Sequence, residues 1–334
     1  MNKQEVNRIV AIIHDAISIL KLDLTGLNIL TEAGSGYFIY TPIIASLAGA
    51  DKVFIWSKDS VYGKALSIQK EFNDIIQLMN LRANFSWALN ERPAHHVNQA
   101  DIITNLGFVR PINKELISNI IKRDTMISLM CESWELREND IDIETCLKNK
   151  IKVAGTWENH PSLKIFDACG PLAIKIANEA GYEVYQNNIV IWSDDQFGDV
   201  IQKAFLNHGA KKVVKTTDTK TLKAAIPGTD FIFVCQQSES KPIFGKDAII
   251  DLDILKSGNT CPGIVHLYGD IDNIFVKSSG FSIFPDKRGK ANIMSQTLAH
   301  LGPLPVINLH AAGLKVGECV IKGEIHPIVQ PVLN

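Results

Sequence analysis

Short apolar segments alternate with amphipathic segments along the whole chain, and turn residues separate them. Residues 28–31, for example, form an apolar run that leads into Gly34-Ser35-Gly36, and the next segment, 37–48, has helical spacing. Strands that alternate with helices of about ten residues predict parallel βαβ units. Such apolar strands are typical of a sheet that helices cover on both faces. An α/β protein is therefore expected.

The alternation restarts after Pro161, which predicts two Rossmann-like, doubly wound lobes with parallel sheets, over residues 1–158 and 159–334. The last segment, 311–334, is a candidate to return to the first lobe. Because ligands of open α/β sheets bind at the carboxyl ends of the strands, the interlobe cleft is the expected site. The predicted strands are 28–31, 52–56, 83–87, 101–105, 125–129, 151–154, 188–192, 212–215, 230–235, 263–267, 281–284 and 306–309. The predicted helices are 6–20, 37–48, 61–80, 112–122, 141–148, 163–180, 197–207, 219–225, 248–255 and 290–301.

Charge and hydropathy exclude several classes of partner. The 334 residues carry 34 Lys and Arg against 36 Asp and Glu, so no basic surface for nucleic acid or for a membrane is indicated. No apolar run reaches the ~18 residues that cross a bilayer. The six cysteines include no CxxC pair, which favours reduced thiols. These observations predict a cytoplasmic protein that binds a small molecule.

The first segment, 6–20, has the spacing of an amphipathic helix, and Arg8, His14 and Asp15 distinguish it from a signal peptide. Its apolar face also includes Ala11 and Ile19, so it is wider than one sheet edge needs. A wide apolar face is often shared between a core and a partner, and a homodimer is therefore expected.

Two turns resemble each other in sequence. Ile-Trp-Ser-Lys-Asp at 55–59 is similar to Ile-Trp-Ser-Asp-Asp at 191–195, and each follows a predicted strand. The pair indicates either an internal duplication or a chance similarity of two strand ends.

Between residues 100 and 315, several segments resemble the D-2-hydroxyacid dehydrogenases. Residues 100–104 and 114–117 are similar to a strand and helix of that family, and 140–144 with 150–155 to the passage that follows. Near the end, Asn-Leu-His-Ala-Ala-Gly at 308–313 is similar to the family's "TPHiAG". The resemblance implies NAD or NADP as cofactor and a small carbonyl compound or 2-hydroxy acid as substrate.

The same resemblance places the family's dinucleotide fingerprint in the turn after 188–192, with Ser193, Asp195 and Gly198 at the cofactor. Only Gly198 keeps a glycine of the G-x-G-x-x-G pattern. Asp194 and Asp195 would bring negative charge to the place that a pyrophosphate takes. The family's arginine after strand 263–267 is replaced by Tyr268-Gly269.

His310 falls where the family has its acid/base histidine. It lies in a segment rich in small residues, which permit close backbone approach to a ligand, and Lys315 and Glu318 of that segment are further catalytic candidates. A purely structural histidine is the alternative interpretation.

Gly34 and Gly36 form a better glycine loop, since they follow a strand and open a helix. We assign them to cofactor binding. The loop also resembles the first motif of S-adenosylmethionine methyltransferases, with Glu32 before G-x-G and Asp59 as the acid after the second strand. A structural tight turn is the alternative.

The remaining candidates follow strand ends. His266 is assigned to the cofactor site, and its spacing to Asp270 and Asp272 fits no standard metal site, so no metal is predicted. Arg110 would hold a substrate anion or form a surface ion pair. The substrate candidates are Arg110, Glu158, His160 and Tyr268.

Three functions remain in order of preference. The first is an NAD(P)-linked oxidoreductase. The second is a relative without dehydrogenase activity that binds another nucleotide or metabolite in the cleft. The third is a methyltransferase, which would leave the second lobe unexplained.

Overall fold

The computed structural model describes residues 2–92, 94–120, 122, 124–237, 241–257 and 261–333. The chain forms two compact units. Unit 1 consists of Met1–Ile165 together with Gly302–Asn334, and unit 2 of Phe166–Leu301. The sequence placed the boundary near residue 158.

The described part of the first 165 residues supplies six strands and six α-helices to unit 1. They are α1 (Lys3–Leu20), β1 (Asn28–Glu32), α2 (Thr41–Leu47), β2 (Lys52–Ser57), α3 (Ala65–Met79), β3 (Phe85–Leu89), α4 (Ala94–Val97), β4 (Ile102–Thr104), α5 (Lys114–Ile117), β5 (Met126–Ser128), α6 (Ile143–Lys148) and β6 (Lys152–Thr156). Short 3₁₀ helices cover Gly36–Tyr40 and Ser133–Glu135.

Unit 2 repeats the alternation, with five strands among its described residues. Its elements are α7 (Cys169–Glu179), β7 (Asn188–Trp192), α8 (Gln196–Asn207), β8 (Lys212–Thr216), α9 (Thr219–Ala225), β9 (Phe231–Cys235), β10 (Gly263–Tyr268), α10 (Asn273–Ser278) and β11 (Ile283–Phe284). Phe166–Ala168, Leu252–Ser257 and Leu298–His300 are 3₁₀ helices.

The chain then returns to unit 1 through α11 (Pro303–Lys322) and β12 (Val329–Leu333). Within the described residues, α11 is the one helix whose length and composition would suffice to cross a bilayer. However, 72% of its most apolar window is buried inside the fold, as in a core helix.

Both sheets are built mainly from parallel strands, so the predicted α/β class with two Rossmann-like lobes is confirmed. The sheet of unit 1 has the order β12-β6-β5-β4-β1-β2-β3, and only β12 runs antiparallel, against β6. The sheet of unit 2 has the order β11-β10-β9-β7-β8 and is parallel throughout.

Four predicted elements were wrong. Residues 248–251 form no helix, because Ile249 N and Ile250 N donate to Pro242 O and Ile243 O, and only a 3₁₀ helix, Leu252–Ser257, follows. Residues 306–309 lie inside α11, not in a strand, because a short apolar run fits a fully buried helix equally well. Residues 290–301 form no α-helix, since Asn292 N donates to Gln237 O and Ser295 Oγ to His266 O, which fixes them as a loop. The helix predicted from residue 163 begins at Cys169, because Lys164 has a left-handed backbone with φ of 51°.

The internal duplication is also not supported. Residues 55–59 end β2, whereas 191–195 end β7. In unit 1 the strand order reverses at β1, and β2 is the neighbour of that strand. In unit 2 the order reverses at β7 itself. The two turns therefore hold non-equivalent places.

The N-terminal helix forms as predicted and packs against α11. Val6, Ile9 and Ile13 face the core, while Ile19 is 59% exposed. The homodimer through this wider face stays a prediction.

Candidate functional site

The strand order gives each unit one crevice in which a ligand is expected. In unit 1 the order reverses between β1 and β4, and in unit 2 between β7 and β9. Open α/β sheets bind ligands outside the carboxyl ends of the strands at such reversals. Unit 1 contains the order 3-2-1-4-5-6 that is typical of dinucleotide-binding domains, whereas unit 2 has the flavodoxin-like order 2-1-3-4-5.

The crevice of unit 2 is occupied by its own side chains. Asp195 is the N-cap of α8, and its Oδ1 accepts hydrogen bonds from Phe197 N at 2.9 Å and Gly198 N at 3.2 Å. Its Oδ2 accepts from Gln237 N at 3.0 Å, which lies just beyond β9. A pyrophosphate would need the same N–H groups.

A second contact closes this crevice further. Asp194 N donates to Gln236 Oε1 at 2.9 Å, and Gln236 Nε2 donates back to Asp194 Oδ1 at 2.8 Å. Ser193 Oγ donates to Asp195 Oδ1 at 3.0 Å. A Cβ on Gly198 would lie 2.5 Å from Ser193 Oγ, so this glycine serves the packing of α8 on β7. Ser193, Asp195 and Gly198 thus lie together, and they bind one another.

The crevice of unit 1 is lined by glycine backbone instead. Gly34 and Gly36 follow β1, and Gly107 follows β4. A Cβ on Gly34 would lie 2.9 Å from Phe38 Cβ, and Gly36 has a φ of +61° with no atom within 4 Å of its Cβ position. A Cβ on Gly107 would meet only Glu32 Oε2, at 3.6 Å. Gly36 and Gly107 therefore leave their main chain open to a ligand, whereas Gly34 is required by the close packing of Phe38.

Glu32, the last residue of β1, lies between these loops. Its side chain is buried, and Oε2 accepts a hydrogen bond from Phe108 N. Burial raises the pKa of this carboxyl to about 7, against smaller opposing effects of the Phe108 hydrogen bond, Arg110 and Lys58. Glu32 therefore exchanges its proton near neutral pH, as a general acid or base does.

The two charged residues that follow β2, Lys58 and Asp59, differ in how far other protein groups already bind them. Lys58 is half-buried, and its Nζ lies 3.9 Å from the centroid of the Trp56 ring. Asp59 is engaged locally, since it accepts hydrogen bonds from Lys64 Nζ at 2.8 Å, Ala65 N at 2.9 Å and Asn90 Nδ2 at 3.4 Å.

His310 lies on α11 beneath the glycine loop. Its Nδ1 is 2.7 Å from Thr41 Oγ1, and its ring lies 5.6 Å from that of Phe38. Burial lowers the pKa of His310 to about 4, so the imidazole is neutral at pH 7. The Thr41 hydroxyl carries no charge, so it does not offset the effect of burial as a carboxylate would.

Lys315 and Glu318 pair with each other at 2.9 Å and are both buried. Lys315 Nζ also donates to Lys21 O at 3.0 Å, and Glu318 Oε2 accepts from Asp23 N at 3.0 Å. The pair thus connects α11 to the segment between α1 and β1. No described hydrogen bond joins Lys315 or Glu318 to His310 or to the glycine loop.

The substrate candidates of unit 1 have separate surroundings. Arg110 forms an ion pair with Asp140 at 2.8 Å. Glu158 is buried, and burial, with Glu135 and Glu132 nearby, raises its pKa well above the usual range. His160 Nδ1 lies 2.7 Å from Ser162 Oγ.

The two remaining candidates lie in unit 2. His266 is fully buried in β10, its Nε2 is 3.0 Å from Pro285 O, and burial lowers its pKa to about 4. Tyr268 ends β10, and its ring lies 5.0 Å from that of Phe197. No group of metal-binding side chains occurs among the described residues.

Sequence reasoning found the glycine loop and named Glu32 only as the acid of a methyltransferase-like motif, and it missed Lys58 and Gly107 as site residues. The available signal for Glu32 was an ionisable residue at the end of an apolar strand, directly before glycines. Lys58 carried the same kind of signal at the end of β2. Gly107 could be found only once β4 was known to lie beside β1.

Comparison with known proteins agrees with this architecture. The chain is similar to a dipicolinate synthase component from Bacillus halodurans, with a TM-score of 0.55 and 11% identity over 91% of this chain and 100% of that one. It is also similar to a Salmonella D-lactate dehydrogenase, with a TM-score of 0.50 and 12% identity over 83% of this chain and 99% of that one. This is the fold of the D-2-hydroxyacid dehydrogenases. No protein-family model and no curated sequence matches the chain.

Proposed function

We propose that the protein is a nicotinamide-nucleotide-dependent oxidoreductase for a small carbonyl compound or 2-hydroxy acid, and that the dinucleotide binds in the β1/β4 crevice of unit 1. The fold that it shares with a D-lactate dehydrogenase supports the reaction class. The observation that carries the location is the contrast between the two crevices. Glycine main chain lines the crevice of unit 1, whereas Asp195 occupies that of unit 2.

The chemistry of Glu32 is compatible with a nearby pyrophosphate. A carboxyl with a pKa of about 7 is largely protonated below that pH and adds no negative charge beside the phosphates. Ionisation at higher pH introduces repulsion, so nucleotide affinity should fall as the pH rises through 7. His310 contacts Thr41 and the ring of Phe38, which follow the glycine loop, and its neutral imidazole can therefore orient that loop.

A titration with a nucleotide tests this location. NADPH and NADH fluorescence is followed as the full-length protein is added, for the native chain and for Gly107→Val. The side chain of valine would occupy the crevice beside Glu32, because even a Cβ there lies 3.6 Å from Oε2. We expect affinity to fall by about tenfold or more, which corresponds to ~1.4 kcal/mol.

Two matched variants make the result decisive. Gly107→Ala makes only an ordinary contact, so it should keep the fold and lose less affinity. Asp195→Ser removes the carboxylate from the crevice of unit 2 and keeps a residue that caps helices well. If Asp195→Ser strengthens nucleotide binding and Gly107→Val does not weaken it, the location in unit 1 is wrong. Absence of binding by the native chain refutes the oxidoreductase.

A methyltransferase is the second candidate, because Glu32 precedes Gly34-Ser35-Gly36 as in the first motif of that class. The acid expected after the second strand, Asp59, is already engaged by Lys64, Ala65 and Asn90. The same titration, repeated with S-adenosylmethionine and read by thermal shift, separates the two functions. Stabilisation by S-adenosylmethionine alone would select the second candidate.

A further inference from the structure

The end of β2 carries an unusual arrangement for a nucleotide site. In domains with the strand order of unit 1, the residue that follows the second strand contacts the ribose of the nucleotide. An acidic residue there binds the 2′-hydroxyl, and a cation accommodates a 2′-phosphate. In this chain β2 ends at Ser57, and Lys58 comes next.

The acid beside Lys58 is bound within its own loop and to Asn90. Asp59 Oδ1 accepts from Ala65 N and Asn90 Nδ2, and Oδ2 accepts from Lys64 Nζ. The lysine differs in this respect. Among the described residues, no carboxylate lies within ion-pair distance of Lys58 Nζ, which rests on the face of Trp56 at 3.9 Å.

A second cation lies nearby. Arg92 follows β3, the strand beside β2, and the ends of the two strands meet where Asn90 N donates to Ser57 O at 2.9 Å. After burial, Arg92 also contributes to lowering the pKa of Lys58. Arg92 pairs with Glu115, but their side chains are 46% and 69% exposed. Exposed ion pairs are weak, so a dianion can take the place of Glu115. Two cations, of which only Arg92 has a carboxylate partner, suit a phosphate monoester.

We propose that Lys58 and Arg92 form a subsite for the 2′-phosphate of a dinucleotide, so that the protein binds NADPH in preference to NADH. This inference rests on the proposed function, because it concerns the same crevice. β2 lies beside β1 in the sheet, and Lys58 follows the carboxyl end of β2, at the same edge of the sheet as the glycine loop that follows β1. The subsite thus lies beside the loop of Gly34 and Gly36.

The test compares dissociation constants for NADPH and NADH on the full-length protein, measured by fluorescence titration. We expect NADPH to bind about tenfold more tightly or better, as charge-assisted hydrogen bonds to a phosphate imply. Lys58→Gln should remove most of this preference by weakening NADPH alone, and Lys58→Arg should retain it. An unchanged NADH constant shows that the loss is not a folding defect.

The same strand offers the control. Lys52 lies at the opposite end of β2, and its Nζ is 4.8 Å from the ring of Phe54, in an arrangement like that of Lys58 on Trp56. Lys52→Gln should leave both constants unchanged. Equal affinities for the two nucleotides, or a preference that survives Lys58→Gln, overturn the subsite and leave the proposed function standing. If neither nucleotide binds, both proposals fail together.

Discussion

At the scale of single residues, Glu32 gives the fold a specific dependence on pH. Burial raises its pKa from 4.5 to about 7, so between these values the folded chain holds a proton that the unfolded chain has lost. Stability therefore falls as the pH rises from 4.5 to 7 and is constant above that range, with a loss of about 3 kcal/mol at most. Glu32→Gln removes this loss, since an amide can still accept from Phe108 N. The variant should be more stable than the native chain at pH 8 and nearly equal to it at pH 4.5.

Urea unfolding at several pH values measures this difference. Glu71→Gln is the matched control, because Glu71 is exposed on α3 and the substitution changes the net charge equally. It should shift stability by the same small amount at every pH. A stability gain of Glu32→Gln that does not grow between pH 4.5 and 7 would contradict the buried, proton-binding carboxyl.

At the scale of elements, the N-cap residue of α8, Asp195, should stabilise unit 2 more than an ordinary helix cap does. Asp195 accepts from two N–H groups of α8 and from Gln237 N beyond β9. Asp195→Ala should cost about 1–2 kcal/mol, because it removes the cap and a contact across the crevice. Asp218→Ala, at the exposed cap of α9, should cost less, since the described side-chain bonds of Asp218 come from Thr221 in the first turn of its own helix. Urea unfolding of the two variants and the native chain measures the loss in free energy of unfolding. Equal losses would mean that the Gln237 contact adds no stability.

The elements also show what the sequence could predict. Strand 52–57 and helix 65–79 have clear periodicity, and both were found to within a few residues. Residues 306–309 were predicted as a strand but lie in a helix. The reason is that α11 is apolar on nearly every side, so its sequence shows no amphipathic helical period.

The site was harder to predict than the fold for a related reason. The glycine loop after β1 is local in sequence, but its partner, Gly107, lies about seventy residues further on and reaches it only through the pairing of β1 with β4. Likewise, the Asp195 carboxylate reads as a charge that would repel a phosphate. Only its three hydrogen bonds from main-chain N–H groups show that it takes the place of a phosphate.

At the scale of the whole molecule, the two units differ in how the chain builds them. Unit 2 is one continuous segment, whereas unit 1 is completed only when the chain returns after residue 301. α11 then packs closely on the strands, since a Cβ on Gly317 would lie 2.7 Å from Ile102 Cγ2, and Ser128 Oγ donates to Gly313 O. Unit 1 should therefore depend on its C-terminal segment, and unit 2 should not.

Two truncated chains test this dependence. Residues 1–301 lack α11 and β12, and the large apolar side chains that α11 buries, among them Val306, Ile307, Leu314 and Val316, contribute about 1.5–3 kcal/mol each. Their sum approaches the 5–15 kcal/mol that stabilises a typical domain, so unit 1 should lose cooperative unfolding. Residues 166–301 alone should keep near-ultraviolet circular dichroism and a single unfolding transition. A chain of residues 1–301 that unfolds with two native-like transitions would show that the sheet of unit 1 stands without α11.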